Sequence, residues 1–284
     1  SEEVEMRLIY KEETITPTPS PKPGGGGNIS WRKEDKTLYI SGSGPMPDYV
    51  NGGSDTSTAP WSKSWIEEDV KEIIVEEGIT SIGSYAFWKF GAVKSIQLPE
   101  GIISIGALAF CGCGRVSQFR MPTTVIEIGE SAFAHCESLQ NVQLPQEIRK
   151  IEKAAFYYCN SLASITFPDS LEYIGEYAFY GCARFQNIEI RNVSFIGSYA
   201  FISCNDLTTV KLENIDYIDK FAFYRKNNLF SVELKNINVM ESRVFYSSMG
   251  LKKVVVDNVN YLPPGSFADC ISLEEIQIQN VAYI

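Results

Sequence analysis

A phenylalanine returns at a nearly fixed interval along most of this chain. Phe87, Phe110, Phe133, Phe156 and Phe179 stand 23 residues apart, and Phe201, Phe223, Phe245 and Phe267 continue at intervals of 22. A period in the twenties, with apolar residues held in frame, marks a solenoid in which each coil is one supersecondary unit stacked on the next. The frame resolves position by position. Six residues past each anchor comes an apolar residue, from Val93 through Leu139 to Leu273. Nine and eleven past it come apolar pairs such as Ile96/Leu98, Val142/Leu144 and Val210/Leu212, with mostly polar residues between. That alternation predicts a strand with one buried face. Eight and five before the anchor stands a second pair, as in Ile102/Ile105 and Leu171/Ile174, which predicts a short extended segment on the other side of the coil. Gly83, Gly106, Gly129, Gly175 and Gly197 follow it, and predict a tight turn into a short helical stretch. Glu152, Asp219, Glu241 and Pro263 fill the same position in other coils, so positive φ is not required of it everywhere.

A single coil cannot offset the entropy of its own ordering, so neighbours must stack and share a core. The series Leu-x-x-Val/Ile-x-Leu-Pro-x-x-Ile-x-x-Ile-Gly-x-x-Ala-Phe-x-x-Cys resembles the BspA-like leucine-rich repeat of bacterial surface proteins, over about residues 70–284. Asn28-Ile-Ser-Trp31 and Thr37-Leu-Tyr-Ile-Ser-Gly-Ser-Gly44 also resemble the amino-terminal cap of such proteins. The resemblance implies a right-handed leucine-rich-repeat solenoid with a parallel β-strand ladder, short helical turns and a small β-rich cap. It further implies export and a binding or adhesion role, and it carries over no catalytic residue.

The chain divides into an N-terminal strand and Pro/Gly-rich linker (1–27), a cap (28–70) and the repeats (71–284), nine anchored coils and a partial tenth. The linker, Thr16 to Gly27, suits a stalk leading from an anchor or an upstream module. In the cap, Ile29 to Trp31 and Leu38 to Ile40 read as two strands, Pro60 to Asp69 as a short helix, and Trp31, Trp61 and Trp65 as the cover of the first coil. A net charge of −10 counts against nucleic acid and against anionic lipid, both of which need a basic surface. No apolar run approaches the length of a membrane span.

Six of the seven cysteines, Cys113, Cys136, Cys159, Cys182, Cys204 and Cys270, share one position three past the anchor. Stacked in register they are too far apart at Cβ for a bridge, which predicts buried free thiols. Cys111 lies outside that ladder and the sequence assigns it no place. Asn192, Asn214, Asn236, Asn258 and Asn280 recur nine before an anchor position and predict a ladder of side-chain amides. The chain has one histidine, His135, with no Ser or Cys motif beside it, and its cysteines repeat by coil instead of clustering as metal ligands do. No cofactor, metal or catalytic residue is expected.

Two surfaces remain as candidates. Outward residues of the main strands, among them Gln118, Arg120, Asn141, Gln143, Asn187 and Lys211, are mostly uncharged and form either plain solvated surface or an extended binding face. Six before the anchors, Tyr173, Phe195, Tyr217, Val239, Tyr261 and Tyr283 make an outward aromatic stripe, which either stabilises neighbouring coils or marks a binding site. The expected function is a non-catalytic recognition or adhesion module, secreted or held at the cell surface or outer membrane through the N-terminal linker. Its partners would be host or neighbouring-cell proteins, including extracellular matrix. A glycan-binding module and a passive spacer are the alternatives. Val281 and Ile284 open a tenth coil, and self-association through that end would cover it.

Overall fold

A computed structural model describes residues 29–53 and 56–283, so the expected strand and linker over 1–27 fall outside the described residues. Two parallel ladders run the length of the molecule. The first joins Thr37–Ser41, Glu72–Val75 and Ser95–Gln97, pairs Gln118–Phe119 with Asn141–Val142, and resumes from Asn187–Arg191 onward. The second climbs from Gly44–Pro45 through Ile79–Ile82, Ser104–Ile105, Glu127–Ile128, Lys150–Ile151 and Tyr173–Ile174 to Phe195–Ile196. Residues one repeat apart pair in register, for instance Lys150 with Tyr173 and Thr209 with Ser231.

Between the ladders the anchors stack into one column. Successive rings from Phe87 to Phe267 lie 4.9–5.5 Å apart by centroid. Trp61 extends the column below Phe87 at 5.8 Å, and its indole N–H donates to the Ala86 carbonyl at 2.7 Å. Fully buried, Trp61 therefore occupies the ring position of a coil that the cap hairpin completes. Trp31 does not help cover it: on the outer strand Ser30–Glu34 it is 37% exposed. The side chain of Trp65 lies outside the described residues, on the short helix Ser64–Asp69.

The corner that carries each Phe is a chain of tight turns, not the helical stretch expected from the sequence. Residues two before and two after every anchor adopt left-handed φ between 53° and 80°, and only Gly112, Gly181 and Gly265 among them are glycines. Tyr85, Phe87 and Lys89 donate their N–H groups to Ala107, Ala109 and Cys111 of the next coil, at 2.7–2.9 Å. Ala86, Trp88 and Phe90 bond back three residues, at 3.3–3.4 Å. With alternate donors spent on the neighbouring coil, a run of helical bonds cannot form. The recurring glycine before the corner is explained by close approach and not by φ. A Cβ on Gly175 or Gly197 would sit 2.5 Å from the backbone nitrogen of Lys153 or Glu176 in the preceding coil.

The change of period at Phe179 has a local cause. In the 23-residue coils Pro99, Pro122, Pro145 and Pro168 end the main strand, since proline offers no N–H to the ladder. Arg191, Glu213, Lys235 and Asp257 take that place in the shorter coils. Strands there lengthen to Thr209–Ile218, Ser231–Met240, Lys253–Tyr261 and Glu275–Tyr283, which cross from one ladder into the other. Each bends at its asparagine, with φ of 52–56° at Asn214, Asn236, Asn258 and Asn280, a conformation asparagine tolerates better than most side chains. The amides of Asn214, Asn236 and Asn258 each donate to the preceding Asn Oδ1 at 2.7–2.8 Å, while Asn280 donates to Asp257.

All seven cysteines are free and buried. The six ladder thiols donate to the carbonyl of the anchor Phe one coil earlier, at 3.2–3.4 Å. Cys111 belongs to a second apolar cluster on the outer side of the corner, with Trp88, Ala134, Tyr157 and Tyr180. In the last coil Ile276 and Ile278 are 51% and 40% exposed, with no further coil packed on them among the described residues.

Candidate functional site

Backbone alternation fixes which residues can meet a partner. In the second ladder Ile174, Ile196, Ile218 and Met240 point inward, so Tyr173, Phe195, Tyr217 and Val239, one position earlier, point out. Their in-register pairing stacks the rings: Tyr173 on Phe195 at 5.2 Å and Phe195 on Tyr217 at 5.6 Å, each pair within 9° of parallel. Because the rings lie face to face along the solenoid, solvent meets mainly their edges and hydroxyls. Tyr217 donates to Glu241 Oε1 at 2.8 Å, and that bond, then burial, then the charges of Glu241 and Asp219 push its phenol up to about 12. Val239 and Tyr261 are the most open members of the row, 39% and 44% exposed. Tyr283 pairs in register with Tyr261, and its side chain lies outside the described residues.

The other candidates line the opposite ladder, so the two sets do not converge on one site. Gln118, Arg120, Asn141, Gln143, Asn187 and Lys211 are all exposed. Arg120 pairs with Glu100 at 3.3 Å, and Asn187 Oδ1 accepts from the Thr209 hydroxyl at 2.6 Å. Past Phe179 this face is more charged than the mostly uncharged surface expected of it. Arg191, Glu213 and Lys235 add a third outward row, and with Glu189, Lys211 and Glu233 they alternate in sign along and across the coils. Lys235–Glu213 (2.7 Å), Arg191–Glu213 (3.6 Å) and Lys211–Glu233 (3.7 Å) are ion pairs of this array. The signal was visible in the sequence at the position twelve past each anchor, where proline gives way to charge.

A third band went unread in the sequence. One after and two before the anchors stand Tyr157, Tyr180, Tyr224 and Tyr246, and Tyr177, Tyr199 and Phe221. They stack along the corners at 4.7 Å (Tyr157–Tyr180), 5.3 Å (Tyr177–Tyr199), 5.2 Å (Tyr199–Phe221) and 5.8 Å (Tyr224–Tyr246). His135 joins this band, stacked on Tyr158 at 5.5 Å, and burial pushes its pKa down. Burial likewise pushes the ladder thiols up, away from the reactive thiolate form. Among the described residues no group of three or more His, Cys, Asp or Glu side chains is placed to hold a metal ion, and no helix is long and apolar enough to cross a membrane.

One solved structure shares this architecture. A leucine-rich repeat protein from Bacteroides ovatus superposes with a TM-score of 0.60 at 23% identity, over 91% of this chain and 76% of that one. A leucine-rich repeat protein of T. pallidum gives 0.48 at 22%, over 89% and 90% of the two chains. A leucine-rich cell surface protein from Faecalibacterium prausnitzii gives 0.41 at 18%, over 92% and 96%. No curated protein sequence matches. The sequence profile described as BspA type leucine rich repeat region matches in six copies across residues 62–171 and 149–274, and the chain belongs to that family.

Proposed function

We propose that this chain is a non-catalytic recognition module, displayed at a cell surface or secreted, that binds protein through the aromatic row of its second ladder. The observation that carries the reading is the outward stack Tyr173–Phe195–Tyr217 continued by Val239 and Tyr261. Rings held by their neighbours lose little freedom on binding, and their edges and hydroxyls suit a polypeptide surface. A sugar ring would need an open aromatic face, and in the stacked part of the row those faces are turned toward one another. Host or matrix proteins are the partners this reading favours.

The test is a screen against immobilised extracellular-matrix and plasma proteins, run beside a glycan array. Tyr217→Ser combined with Tyr261→Ser should weaken protein binding by about tenfold or more, with an unchanged far-ultraviolet spectrum. Binding to glycans alone would replace this reading with the glycan module. Silence in both screens would leave a spacer.

A further inference from the structure

The two ladders differ in how they handle charge. On the main ladder past Phe179, acids and bases alternate and pair across coils, as at Lys235–Glu213 and Lys253–Glu275 (3.1 Å). On the aromatic ladder the balance is one-sided. From Glu172 to Tyr261 the outward positions and the turns that follow them supply Glu172, Glu176, Asp216, Asp219 and Glu241 against two cations, Lys220 and Arg243, among the described residues. Glu172 and Glu176 borrow Arg149 and Lys153 from the preceding coil, at 3.1 Å each. Asp219 and Glu241 instead accept from hydroxyls, Ser198 at 2.6 Å and Tyr217 at 2.8 Å. These carboxylates border the rings directly. Tyr173 feels Glu152 and Glu176, and Tyr217 feels Glu241 and Asp219.

We propose that the aromatic ladder docks a basic polypeptide segment, whose Lys and Arg stems lie across the edges of Tyr173, Phe195, Tyr217 and Tyr261 while their charged heads reach the bordering carboxylates. Long cationic side chains cover apolar surface with their methylenes and keep the charge at its rim. The segregated negative field also steers such a partner toward this sheet and away from the balanced one. The inference rests on the protein-binding reading above and adds the sign of the partner.

The probes are two short synthetic peptides of the same length, one of Lys and Ser residues and the other of Glu and Ser, each dye-labelled and followed by fluorescence anisotropy at physiological salt. The Lys peptide should bind and the Glu peptide should not. Asp219→Asn with Glu241→Gln should weaken the Lys peptide roughly tenfold. Glu189→Gln with Glu233→Gln makes the same change in net charge on the other ladder and should weaken it less than about twofold. Equal weakening by both pairs, or no binding of the Lys peptide, overturns the proposal. Either failure leaves the effect of Tyr217→Ser with Tyr261→Ser in the matrix-protein screen as an independent reading of the proposed function.

Discussion

Phe156→Ala is expected to lower the unfolding free energy by about 3–5 kcal/mol, the usual cost of emptying a phenylalanine site in a close-packed core. Phe156 is fully buried and stacks at 5.3 Å on both Phe133 and Phe179, within 3–4° of parallel. Its removal opens a void between two coils that are held apart by their own backbone bonds. Phe156 N–H donates to Ala178 O and Phe133 N–H to Ala155 O, each at 2.8 Å, so the coils cannot close over the gap. Phe267→Ala should cost less, because that ring ends the column and is only partly buried. Urea unfolding followed by circular dichroism measures both. Since each coil rests on its neighbours, the transition of Phe156→Ala should also broaden.

The second large effect has the opposite sign. Lys226 stands in the thiol position of its coil, 1% exposed, with Cys204 before it and Ser248 after it in the same row. Its ammonium donates to the Tyr224 carbonyl at 3.1 Å, and the Ser248 hydroxyl oxygen accepts its backbone N–H. Burial lowers its pKa from 10.5 to about 8, with Cys204 opposing weakly. A base depressed in the folded state binds fewer protons there than in the unfolded chain. The group therefore penalises folding fully below pH 8, and the penalty lifts as pH rises toward 10.5. The shift corresponds to about 3 kcal/mol. Lys226→Met should accordingly stabilise the protein by about 2–3 kcal/mol at neutral pH, and the gain should shrink to nothing above pH 10.5. The buried thiols and the Glu241-bound Tyr217, whose pKa values are pushed up, take stability from the protein as pH rises over the same range. The quantity to follow is thus the difference between the two proteins in thermal melts at stepped pH. A gain that stays flat across the window would show that the ammonium is solvated in the folded chain and keeps its ordinary pKa.

The core was legible because solenoid stacking leaves a signature at fixed intervals. The anchors, the residues six, nine and eleven past them, the thiols and the asparagines each obey one period, so register follows from counting. The corner was not legible in that way. Whether Ala-Phe-x-x-Cys coils into helix or bends into turns depends on where its N–H groups go, and they go to another coil. Tyr85, Leu108 and Tyr177 give no hint in isolation of the left-handed backbone they adopt. Cys111 takes its place from a second cluster on the outer side of the corner, with Trp88 and Tyr157, which no single period of the sequence marks. The cap resisted for a related reason. Trp31 and Trp61 look equivalent in sequence, but only Trp61 falls on the ring column. Both candidate faces were readable as outward rows, whereas the pairing of charge on one and its segregation on the other arise between coils.

The most direct test of the stacked column is a double-mutant cycle along it. With Phe156→Ala and Phe179→Ala, neighbours at 5.3 Å, the combined loss should depart from the sum of the single losses by about 0.5–3 kcal/mol. Phe87→Ala with Phe245→Ala, seven coils apart, should add to within about 0.5 kcal/mol. Additivity at the neighbouring pair, or coupling of equal size at the distant one, would contradict a column in which each ring touches only the next.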